Sequence, residues 1–108
     1  MGIVTDLSDF LLARWGEEED VSVLFHEDAC PASRQSGGGQ ACACACPALI
    51  RERIATYRRI LADCEQRIRS EQQQGVVWPL ESALAYQTMK AFALPFEMHP
   101  AFQERWYP

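Results

Sequence analysis

Four of the chain's five cysteines, Cys30, Cys42, Cys44 and Cys46, fall within seventeen residues, and His26 stands four positions before the first of them. Thiolate and imidazole are the donors of a structural zinc site, which takes four of them in a tetrahedron with sulfur about 2.3 Å from the metal. His26 and Cys30, spaced by four, share one face if a helix reaches that far, and the Gly-rich stretch behind them can double back to deliver Cys42, Cys44 or Cys46. In a straight strand the alternate thiols of residues 42 to 46 would lie roughly 7 Å apart and miss a common ion, but the alanines between them permit a tight bend. The five candidates point first to zinc or a similar divalent ion. Their spacing matches no paired Cys-X-X-Cys pattern, and the usual iron–sulfur spacings are absent too. The alternative is a redox-labile cluster, or free cysteines in a tolerant Ala-Cys loop.

Other reactive residue types read as scaffold. Cys64 falls between Leu61 and Ile68 on an apolar stripe, where a thiol behaves as a small hydrophobe. His99, in front of Pro100 in an aromatic tail, is expected to hydrogen-bond and fix a turn. Asp63 and Glu65 are two apart on a helix, so they diverge and face water instead of working as an acid–base pair. Gly37 to Gly39 lack the lysine and following Ser or Thr of a phosphate-binding loop. No Ser, Cys or His sits in a nucleophile motif, so an enzyme is not expected.

The elements that would position the cluster are helices. Thr5 or Asp6 can cap a first helix to about Phe25, with Leu7, Leu11, Val21, Leu24 and Phe25 inward and the acidic run Glu17 to Asp20 toward water. Residues 26 to 46 lose periodicity and read as a Cys- and Gly-rich loop. Pro47 opens the clearest helix, 47 to 74, which Gly75 ends. Its Ile50, Ile54, Tyr57, Leu61, Cys64 and Ile68 form one stripe, to be covered by the other helices or by the same helix of a second chain in a homodimer. Trp78-Pro79 opens a third helix to 94 with Leu80, Leu84, Ala91 and Phe92 on or near its inner face. Residues 95 to 108 carry Phe96, Phe102, Trp106 and Tyr107 and should fold back to cap the core. The expected fold is all-α: a single three-helix domain over residues 1 to 108.

Composition bounds the rest. A chain of 108 residues, 48% hydrophobic and 23% charged, is the size and make-up of one folded domain. A net charge of −5 argues against nucleic-acid binding by the whole surface. Arg51, Arg53, Arg58, Arg59, Arg67 and Arg69 make a basic stretch, but Glu52, Asp63, Glu65 and Glu71 interrupt it at helical spacing, as in a salt-bridged solvated face. The start MGIVTDLSDFLLARW has no basic leader, and no apolar run approaches membrane-spanning length, so a cytoplasmic protein is expected. A reducing compartment and an odd number of cysteines both weaken a disulfide framework.

Three blocks carry a resemblance: Met89-Lys90-Ala91-Phe92-Ala93-Leu94-Pro95-Phe96 with His99-Pro100, Phe102 and Trp106; Asp6-Leu7-Ser8-Asp9-Phe10-Leu11 with Ala13-Arg14; and Ala48-Leu49-Ile50 leading into Tyr57-Arg58-Arg59-Ile60-Leu61. They resemble a family of small uncharacterised proteins of actinobacteria and their phages. The resemblance implies a small, mostly helical protein of such an origin and transfers no activity. Many relatives place cysteines after the central helix and in a Trp-Pro-Cys segment, which looks like a zinc site. Here that segment is Trp78-Pro79-Leu80 and the thiols lie upstream, so those ligands do not carry over. The expected function is a small interaction or regulatory protein of an actinobacterium or its phage, with a protein partner, one of a host bacterium in the phage case, and a zinc-bearing loop. A thiol-based metal or redox sensor is the alternative.

Overall fold

The computed structural model describes residues 3–24 and 46–108. Within them the chain is all-helical. Helix α1 spans Ile3–Val21 and continues as one 3-10 turn, Ser22–Leu24; α2 spans Cys46–Gln74 and α3 spans Leu80–Ala93. Two further 3-10 turns, Leu94–Phe96 and Glu104–Trp106, belong to the C-terminal tail.

Each boundary has a local cause. Pro47 is the second residue of α2, where its missing N–H costs nothing. Gly75 ends that helix with φ +63°, a left-handed conformation that glycine adopts without strain, and its N–H donates to the Glu71 carbonyl at 3.0 Å. The next helix starts five residues later under a cap borrowed from α2. The Glu71 carboxylate accepts the backbone N–H of Glu81 at 3.2 Å and that of Ser82, two of the donors a helix start leaves unpaired. Bonds from Ser82, and then from the Glu81 N–H, hold this carboxylate below the usual glutamate range against the opposing effect of desolvation.

The core joins Leu7, Phe10, Leu11 and Trp15 of α1, Ile54, Leu61, Cys64 and Ile68 of α2, Ala85, Met89 and Ala93 of α3, and Trp106 of the tail. The expected stripe of α2 is therefore covered within the chain, with Ile50 and Tyr57 packed at its margin. Two expectations about which residues turn inward fail. On α1, Val21 and Leu24 are exposed while Phe10, Trp15 and Ser22 are buried. Stepping in threes and fours from Leu7 and Leu11, the face returns at Trp15, Glu18 and Ser22 and passes Val21 by. On α3, Leu80, Leu84 and Ala91 point outward, and the smaller Ala85 and Ala93 flank Met89 on the buried side. Large apolar residues on the outside of a helix leave its hydropathy pattern a poor guide to its orientation.

The acidic run also differs from expectation. Glu17 pairs with Arg14 of its own helix at 2.7 Å, but Glu18 and Glu19 reach across to Arg53 at 3.8 Å and Arg58 at 2.9 Å on α2. The acidic end of α1 and the basic first half of α2 thus neutralise each other between helices.

Candidate functional site

His26, Cys30, Cys42 and Cys44 lie outside the described residues. Cys46 is the first residue of α2, and its backbone alone is described. Among the described residues no group of three or more His, Cys, Asp or Glu is placed to hold a metal ion. Cys64 is a buried free thiol in the core, where burial and then the Asp63 carboxylate push its pKa up. A protonated thiol in that setting is a poor nucleophile.

The tail motif forms a latch onto α1. Phe10 sits at its centre, with Phe96, His99, Phe102 and Trp106 around it at ring-centroid distances of 6.1, 5.6, 6.1 and 4.9 Å. Arg14 lies over the Phe10 ring at 5.1 Å, and its Nη1 is 3.3 Å from Nδ1 of His99. The Ala101 N–H also donates to Nδ1, at 3.0 Å. Both neighbours are donors only, so Nδ1 is the accepting nitrogen of the ring. His99 thereby closes the turn, as its place before Pro100 led one to expect, and in addition ties the turn to Arg14, whose side chain is only 12% exposed. Arg105 closes the far end on Asp6 at 2.7 Å. A second aromatic group, Trp15, Tyr57 and Phe92, joins the three helices at centroid distances of 4.9 to 5.7 Å.

These contacts give the tail motif a packing role. The feature that packing does not explain is at the other end of α3. In the connection from α2, Val77 is 84% and Trp78 86% exposed; Leu80 and Leu84 follow at 65% and 56%. Ile60 of α2 and Leu84 line one groove of about 180 Å³, which Asp63, Arg67 and Glu81 edge with charge. Arg67 bridges the two carboxylates, Asp63 at 2.8 Å and Glu81 at 2.9 Å. The result is a row of exposed apolar residues on α3 and over the hairpin tip, with Ile60 beside it, bordered toward α2 by Asp63 and Arg67 and by the polar groove of Gln66, Ser70, Glu71 and Gln74. Scattered exposed apolar residues are ordinary; four large ones within eight residues, a tryptophan among them, are a local concentration. Its sequence signal was the apolar run Val76-Val77-Trp78 directly behind Gly75, in a connection that would ordinarily be polar.

Two other grooves lie against α1. One, about 400 Å³, runs between α1 and α2 past Ser8, Asp9, Glu65 and Arg69. The other, about 380 Å³, lies over Trp15, Tyr57, Phe92 and Pro95 with the Glu18–Arg53 pair at its side. In the first, the Ser8 hydroxyl is buried and hydrogen-bonds to neither carboxylate.

No curated protein and no solved structure matches this chain. A match over residues 4–108 spans the helices, the latch and the hairpin strip alike, and by it the chain belongs to a family of unknown function, DUF6221.

Proposed function

We propose that the chain is a small, non-enzymatic interaction protein of the bacterial cytoplasm, encoded by a bacterium or its phage, whose apolar hairpin strip docks on another protein. The observation that carries this reading is the exposure of Trp78 and Val77 at the hairpin tip, followed along α3 by that of Leu80 and Leu84. Tryptophan is the side chain most often responsible for the energy of a protein contact, and leaving one in water beside two leucines has a cost that a partner would relieve. The latch supports the same division of labour, because it spends the tail's aromatic residues on holding α1 to α3. Among the described residues no helix is long and apolar enough to cross a membrane, which is compatible with the cytoplasmic setting.

In the same reading, four of His26, Cys30, Cys42, Cys44 and Cys46 hold one zinc ion that staples the connection between α1 and α2. Support comes from the donor types and their concentration before α2. The second reading, a thiol-based sensor, draws on the alternation Cys42, Cys44, Cys46, which departs from paired zinc spacings.

Quantitative affinity capture from the native host tests the contact surface, comparing the wild-type chain with Trp78→Ser. A partner enriched by the wild type and lost with the variant is the expected result; identical captures would remove the strip from the account. Elemental analysis with native mass spectrometry, on protein purified without an affinity metal, separates the two thiol readings. One tightly held zinc per chain is expected. Metal-free protein that forms disulfides under mild oxidant without global unfolding would favour the sensor.

A further inference from the structure

We infer that the strip is also a self-association surface: two copies of the chain pack α3 and hairpin tip against α3 and hairpin tip across a two-fold axis, with both α1 helices outside. This inference rests on the contact-surface reading above and names a second copy as the partner.

The geometry begins with what is already covered. In a single chain, α1 and the latched tail shield one side of the α2–α3 hairpin, and the stripe Ile54, Leu61, Cys64 and Ile68 is used up there. Pairing of two chains through that stripe would require unpacking α1. The other side carries Ile60 and Leu84 in one groove, Leu80 one turn earlier, and Trp78 and Val77 at the tip. The exposed apolar residues on that side belong to α3 and the tip, with Ile60 beside them between polar positions of α2, so the element that matches them is the same α3 and tip of an identical copy across a two-fold axis.

Charge favours a copy over an unrelated protein. A two-fold contact presents the same patch from both sides, so the patch must be its own complement. A border of one sign would repel its mate. Here Arg67 stands between Asp63 and Glu81, with all three side chains about half exposed, so both signs are present in one border. Facing borders can exchange partners, Arg67 of each chain meeting a carboxylate of the other.

Magnitude is consistent with a stable contact. Specific interfaces cover about 800 Å² on each partner. A tryptophan covers roughly 200 Å², so Trp78 alone supplies about a quarter of that figure, and Val77, Leu80, Leu84, Ile60 and the charged border add to it.

Sedimentation velocity on the full chain under reducing conditions, from about 5 to about 200 μM, tests the inference. The expected result is a monomer–dimer equilibrium. Iodide quenching at the same concentrations adds a local readout, because Trp15 and Trp106 are buried and Trp78 is not; the quenchable fraction should fall as dimer forms. Leu84→Glu alters an exposed side chain, and with helical content unchanged it should weaken association at least about tenfold. A wild-type monomer at the highest concentration, or a dimer indifferent to Leu84→Glu and Trp78→Ser, overturns the dimer. The capture experiment then separates the two claims: a monomer that still captures one protein in a Trp78-dependent way loses the dimer and keeps the contact surface. A monomer whose captures ignore Trp78 loses both.

Discussion

One nitrogen of His99 carries much of the tail's attachment. Nδ1 accepts from the Ala101 N–H within the turn and from Arg14 across it, so a replacement must offer an acceptor at the same reach. Asparagine, whose side-chain oxygen lies near the position of Nδ1, should substitute well, whereas alanine leaves both donors without it. We expect His99→Ala to cost about 1–2 kcal/mol and His99→Asn less than half of that, measured by urea unfolding. Equal losses would mean that ring packing against Phe10, and not the acceptor, holds the tail. At this scale the sequence was partly readable. Cys64 was recognisable as a core thiol from its place on the stripe, and His99 as a turn-former from Pro100. The bond to Arg14 was hidden because its partners stand 85 positions apart, and no local pattern reports such a pair.

At the scale of elements, the three helices and their order were legible from Pro47, Gly75 and the heptad-like stripe, while the rotation of α3 was not. Leu80 and Leu84 have the hydropathy of a core face and the exposure of a surface. The core instead takes Ala85 and Ala93, which a pattern built on large residues undervalues. The start of α3 depends on Glu71, a residue of the preceding helix that reads in sequence as one more charge on a solvated face. Its lowered pKa implies a definite sign: the charged cap stabilises the fold fully above the ordinary glutamate value of about 4.3, and that contribution is lost as pH falls through the lower folded value. Thermal unfolding followed from neutral pH to about pH 3 should therefore show a shallower acid decline in Glu71→Gln than in the wild type. Parallel declines would remove Glu71 as the titrating cap. Gly75 makes the complementary prediction for the other end of the connection. A Cβ there meets nothing within 4 Å, so the cost of Gly75→Ala is the left-handed backbone itself, about 1–2 kcal/mol. A loss near zero by chemical denaturation would place that residue outside the left-handed region.

For the molecule as a whole, the described residues fall into a packed half and a presenting half. Motif blocks far apart in sequence, Asp6 to Arg14 and Pro95 to Trp106, meet in the latch, so the residues that carry the family resemblance are engaged in building the fold. The hairpin strip lies within the same family match and has no such internal task. The thiol cluster, which is the clearest chemical signal in the sequence, precedes α2 and falls outside the described residues apart from the backbone of Cys46. Its zinc and sensor readings rest on residue type and spacing. The proposed contact surface is the reverse case: invisible to a search for reactive residues, it rests on the exposure of Val77, Trp78, Leu80 and Leu84. The most direct test of that central claim is photo-crosslinking in the native host, with benzoylphenylalanine placed at Trp78 in one version of the chain and at Gln72, on the α1–α2 side, in another. Defined protein adducts are expected from position 78 and few from position 72; adducts equally abundant from both, or none from position 78, would mean that the hairpin tip docks on no protein.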